Sequence, residues 1–103
     1  MKIELLYFDG CPSWKTGLKN LQSALEEEGL IATIDVIEVK DNEQAGQLKF
    51  LGSPSFRVDN QELWPEERET YALSCRVFPS SEGVKGFPTV AMLRGQLKQL
   101  RKA

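Results

Sequence analysis

The constraint that most limits the fold of this chain lies in its first forty residues. An apolar run, Ile3-Glu4-Leu5-Leu6-Tyr7-Phe8, breaks at Asp9-Gly10-Cys11-Pro12 and passes directly into a helical pattern. Trp14, Leu18, Leu21 and Leu25 are spaced four, three and four apart, which places them on one helix stripe. Gly29 supplies a helix stop, and Ile31 to Val39 then reads as a second strand. A strand, a helix of this length and another strand form a βαβ unit. Such a crossover joins parallel strands, so a purely antiparallel meander is excluded.

The rest of the chain extends that unit. Asp41 to Phe50 reads as a short helix, with Asp41 as its cap and Leu48 on its inner face. Leu51 to Val58 carries Pro54 at the start of a strand, a position where proline is tolerated. Asp59-Asn60 is a two-residue turn into Gln61-Glu62-Leu63-Trp64, and Pro65 ends that hairpin. Residues 65–86 hold a charged start, a strand-like stretch from Leu73 to Phe78 around Cys75, and the turn-like Ser80-Ser81-Glu82-Gly83. Val90, Leu93, Leu97 and Leu100 then predict a last helix between Pro88 and Leu100. The expected fold class is α/β, with a mixed four-stranded sheet and helices on both faces. The 103 residues are expected to form one domain. The acidic run Glu26-Glu27-Glu28 opposes the dipole at the end of the first helix, and nothing local explains it.

Composition removes several function classes. The net charge of -2 gives no electrostatic case for nucleic acid or an anionic membrane. No apolar run approaches the length of a membrane span. Glu4 stands where a signal peptide would carry its apolar segment, so a cytoplasmic location is expected. The chain has no histidine, which removes imidazole general bases, Cys–His dyads and His-containing zinc sites. Two cysteines are too few for a disulfide scaffold; free, catalytic or redox-active thiols are expected.

Cys11 stands out among the candidates. A thiol between a strand end and a helix start meets the partial positive charge and free N–H groups of the helix N-terminus. Both favour the thiolate, the reactive form. Pro12 suits the first turn of that helix, where its missing N–H costs nothing. Trp14 occupies the position of the second thiol in a Cys-x-x-Cys motif, so a local disulfide is excluded. Trp14 either packs into the core or stacks on a substrate. Cys75 is either a core position or a resolving cysteine brought to Cys11. Tyr71 either lines a pocket over Cys11 or packs on the surface. Arg76 either stabilises a thiolate or binds a carboxylate, or it is simply solvated. Asp9 is a proton acceptor or a turn residue.

The element order, the Cys-Pro after the first strand and Gly52-Ser53-Pro54 before the hairpin resemble the thioredoxin fold, closest in plan to glutaredoxins. That resemblance covers roughly residues 2–64 and the last helix, which makes 65–86 an insertion before the C-terminal helix. It implies that Pro54 is a cis-proline packed near Cys11 and that Ser53 offers backbone groups to a bound peptide or thiol. The chain is also similar to a group of small bacterial thioredoxin-like proteins with Gly10-Cys11-Pro12, Cys75-Arg76 and Gly86-Phe87-Pro88 in corresponding places. Some of those carry labels tied to alkylmercury cleavage. Asn60 stands where glutaredoxins often have glycine, near their glutathione contacts. The resemblance implies a thiol–disulfide oxidoreductase acting on small-molecule or protein thiols and disulfides. Cys11 would attack, and Cys75 or an external thiol would resolve. Exchange needs a thiolate, a leaving sulfur and access; no cofactor or resident metal is expected. The alternatives are a thiol carrier for a soft ion such as mercury or copper(I) and a non-catalytic adaptor.

Overall fold

A computed structural model describes residues 1–102. The chain forms a mixed α/β structure built on a four-stranded sheet and three helices. Strand β1 (Lys2–Tyr7) is followed by α1 (Trp14–Glu27), β2 (Thr33–Glu38) and α2 (Asn42–Leu48). Strands β3 (Ser55–Val58) and β4 (Gln61–Glu62) come next, then a separate hairpin of β5 (Phe78–Ser80) and β6 (Gly83–Lys85), and finally α3 (Val90–Lys102). The sheet order is β2-β1-β3-β4. Strand β1 runs parallel to β2, with Leu5 opposite Val36, and antiparallel to β3, with Leu5 opposite Phe56.

The central strand explains the layering. Ile3 and Leu5 point to one face, where they join Leu21, Ala24 and Leu25 of α1 and Leu93 and Leu97 of α3. Leu6 points to the other face and meets Val39, Ala45 of α2 and Phe50. A strand covered on both faces needs apolar residues at both phases of its alternation, and Leu5-Leu6 supplies them.

The helix ends follow local chemistry. At the end of α1, the Leu30 N–H donates to Leu25 C=O at 2.9 Å and the Gly29 N–H to Glu26 C=O at 3.1 Å. That pair of bonds is a Schellman motif, with Gly29 at φ 64°. Asp41 caps α2 by accepting from the Gln44 N–H at 2.8 Å, as the sequence predicts. Asp59 and Asn60 both take positive φ, as a two-residue hairpin loop of type I′ requires. Glu27 and Glu28 are bonded by Arg94 of α3, at 3.1 and 2.8 Å, and Lys98 lies 3.8 Å from Glu28. The acidic end of α1 is therefore answered by the neighbouring helix.

Three expectations need correction. Helix α1 begins at Trp14, with Ser13 as its cap residue, so Pro12 lies in the preceding turn. Strand β2 begins at Thr33, and Ile31 is almost wholly exposed in the connection. Leu73 to Phe78 is not a continuous strand. It makes one bridge at Cys75, and β5 starts only at Phe78. Ser80-Ser81-Glu82-Gly83 is a turn, as the sequence predicts, and it joins β5 to β6 in a hairpin. An edge-to-face cluster of Phe56, Trp64 and Phe78, with centroids 5.2 to 6.3 Å apart, fastens β5 to the sheet. No helix among the described residues is long and apolar enough to cross a membrane.

Candidate functional site: a cysteine pair at the Ser53 edge

Cys11 lies in the turn between β1 and α1, where its N–H donates to Phe8 C=O at 3.1 Å. It is only 3% exposed. Gly86-Phe87-Pro88 closes over the start of α1. Gly86 packs on Ser13, Phe87 approaches Gly17, and the Asn20 amide donates to Pro88 C=O at 2.9 Å.

Beside this turn lies the loop before β3. Ser53 is completely buried, and the Ser53–Pro54 peptide bond is cis, as the resemblance implies. The loop is held from within by the Ser55 hydroxyl, which donates to Gly52 C=O at 2.6 Å. Both backbone groups of Ser53 are engaged. Its N–H donates to Ser74 C=O at 2.8 Å, and its C=O accepts from the Arg76 N–H at 3.0 Å. These two bonds form a parallel bridge that centres on Cys75.

That bridge sets Cys75 against Cys11, and the two form a disulfide. Their Cα atoms are 5.9 Å apart across a sequence separation of 64. The spacing lies inside the range that a disulfide spans without backbone movement. The expectation of free thiols is thus corrected: both cysteines are paired and no free cysteine is left. The two partners differ in access: Cys11 is buried, whereas Cys75 is exposed. The core reading of Cys75 is thereby corrected.

Arg76 anchors the segment that carries Cys75. It is 5% exposed rather than solvated. One terminal nitrogen donates to Trp64 C=O, and the guanidinium lies 5.4 Å from the centroid of the Phe78 ring. Its Nη1 is 3.8 Å from Glu62 and its Nη2 is 3.6 Å from Glu66. Burial pulls the guanidinium below its usual value, against the carboxylates of Glu66 and Glu62. Glu62 itself is bonded by Arg57 at 2.6 Å. Burial nonetheless pushes its carboxyl above the usual range, outweighing Arg57 and Arg76. Arg76 therefore holds the loop in place; its charge faces these carboxylates.

The other expected residues divide clearly. Ser53 and Pro54 are at the pair, and the Ser53 hydroxyl is buried without a hydrogen-bond partner. Pro12 is exposed in the turn after Cys11. Trp14 stacks on Tyr7, with centroids 4.0 Å apart, and packs against the main core. Tyr71 packs against the second core cluster and lines a cavity of about 270 Å³ with Arg57 and Glu62, which includes neither cysteine. Asp9 is an exposed turn residue.

Two glycines were missed. Gly52 takes φ 116°, and a Cβ there would lie 3.0 Å from Arg76 Cβ. Gly17 of α1 leaves room for Pro54 and Phe56, each of which would sit 3.2 Å from a Cβ. The sequence signal for Gly52 is the Gly52-Ser53-Pro54 run itself, a glycine two residues before the loop's proline. Among the described residues, no three Cys, Asp or Glu side chains cluster as a metal site. No protein family, no curated protein and no solved structure matches the chain.

Proposed function

We propose that this chain is a thioredoxin-like protein that exchanges thiols and disulfides through the Cys11–Cys75 couple. The observation that carries this reading is the pairing itself. The chain's only two cysteines, far apart in sequence, meet where β1 gives way to α1, and one of them is open to solvent. The strand order and the placement of helices on both faces agree with the resemblance. A persistent disulfide is rare in a reducing cytoplasm, the setting expected for this chain, whereas one that cycles is found there.

The couple exchanges with an external thiol or disulfide and carries two electrons. Its equilibrium in dithiothreitol buffers tests the reading, alongside reduction of a small disulfide such as hydroxyethyl disulfide. The midpoint is expected above about -300 mV, because disulfides that serve only structure lie below that value. Wild type is expected to accelerate the reduction, and the double variant Cys11→Ser/Cys75→Ser is expected to be inert. A midpoint below that value, with no acceleration by wild type, would sink the reading and leave a structural staple.

The same spacing favours one second reading. Once reduced, two thiolates on Cα atoms 5.9 Å apart suit linear coordination of copper(I) or mercury(II). Tight one-to-one binding that needs both cysteines, without exchange activity, would select it. Inertness in both assays would select the adaptor.

A further inference from the structure

The expected division of labour has Cys11 attacking the substrate and Cys75 resolving. The burial of the pair points the other way. Cys11 is 3% exposed, closed in by its own turn and by the segment that carries Cys75. Both Ser53 backbone groups, the pair an incoming peptide would use, are already bonded to Ser74 and Arg76. That segment is pinned on its other side by the buried Arg76. Cys75 sits at the centre of this strap and is exposed, as is Val77 at 62%. Exchange requires access to the attacked or attacking sulfur.

We propose that Cys75 is the sulfur that meets the external substrate and that Cys11 is the internal resolving thiol. This assignment rests on the exchange reading above. In the oxidising direction, the Cys75 thiolate attacks one sulfur of an external disulfide. A bond forms between Cys75 Sγ and that sulfur, the external S–S bond breaks, and one external thiolate leaves. Cys11 then loses its proton to solvent and attacks Cys75 Sγ. The Cys11–Cys75 bond forms, and the second external thiolate leaves. The external disulfide gains two electrons and the cysteine pair loses two. In reverse, an external thiolate attacks Cys75 Sγ and Cys11 is the leaving group. The bridge at Ser53 keeps Cys75 within reach of Cys11 while the mixed disulfide exists. The substrate class that fits is a disulfide presented to an exposed loop, including one on a folded protein, rather than a peptide that must add as a strand along Ser53.

Limited alkylation of the reduced wild-type protein tests the assignment without altering the fold. A sub-stoichiometric amount of iodoacetamide, followed by peptide mapping, is expected to label Cys75 over Cys11 by about tenfold or more, because access controls the rate. Reaction with dithiobis(nitrobenzoate) adds a second readout. Cys11→Ser is expected to keep one aryl thiol as a stable adduct on Cys75, formed as fast as the first step in wild type. Cys75→Ser is expected to react more slowly. Wild type is expected to release two aryl thiols and close the internal disulfide. Preferential labelling of Cys11 in a wild type that still closes the disulfide would overturn the roles and leave exchange standing. A wild type that retains its adduct and never closes the internal bond would overturn the exchange reading, and this assignment with it.

Discussion

Gly52 governs how closely the Cys75 strap can lie on Ser53. Its φ of 116° belongs to the region that side chains rarely adopt. A Cβ at this position would also lie 3.0 Å from Arg76 Cβ and 3.3 Å from the Arg76 nitrogen. That nitrogen donates to Ser53 C=O, so it cannot retreat without breaking the bridge beside the disulfide. The Arg76 side chain is held too, by Trp64 C=O and the Phe78 ring. Gly52→Ala is therefore expected to destabilise the oxidised protein by about 2 kcal/mol, the sum of backbone strain and a displaced strap. Urea unfolding of the oxidised protein measures this, and reduction by dithiothreitol is expected to quicken as the strap loosens. An unchanged midpoint would show that the strap yields without cost and that the bridge does not hold Cys75.

The helices carry a matching contrast between two other glycines. Gly17 of α1 faces inward, where a Cβ would press on Pro54 and Phe56 at 3.2 Å, and both of those are buried. Gly95 of α3 has open space around its Cβ position. Alanine favours the helix over glycine by up to about 1 kcal/mol, so Gly95→Ala is expected to raise stability by nearly that amount. At Gly17 the same gain is opposed by overpacking of about 1–3 kcal/mol against rings that have nowhere to move. Gly17→Ala is expected to lose stability, so thermal midpoints of the two variants should move in opposite directions. A rise in both would mean that the contact between α1 and the Pro54 loop is compliant. Elements of this length were legible because they carry their own periodicity and caps, as the Trp14–Leu25 stripe and Asp41 do. The hairpin at Phe78 was not legible, because its strands are three residues long and the first contains Pro79. The acidic end of α1 made sense only once Arg94 arrived from a helix more than sixty residues later. Nor could spacing alone reveal the cysteine pairing, since a separation of 64 fixes no distance until the bridge at Ser53 sets it.

Taken as a whole, the molecule is a fold with a tie across it. The segment between Cys11 and Cys75 contains α1, β2, α2, β3 and β4, leaving only β1, the second hairpin and α3 outside. Closing a loop of this size removes entropy from the unfolded chain, worth about 4 kcal/mol in the chain-entropy account. Neither core cluster contains a cysteine: one joins β1, α1, β3 and α3, and the other joins β1 to α2. The sheet and its two apolar layers are therefore expected to persist when the disulfide opens. Reduction is expected to lower unfolding stability by about 4 kcal/mol while leaving the far-ultraviolet circular dichroism nearly unchanged. Urea titrations with and without dithiothreitol, read by that signal, check both halves of the expectation. The second half bears directly on function, because a couple can cycle only if the protein remains folded in both states. Collapse of the dichroism on reduction would make the bond a structural staple and end the exchange reading. Retention of the fold with the expected loss would mean that native packing, by holding Cys75 against Cys11, favours the internal disulfide by the same free energy that the disulfide returns to the fold.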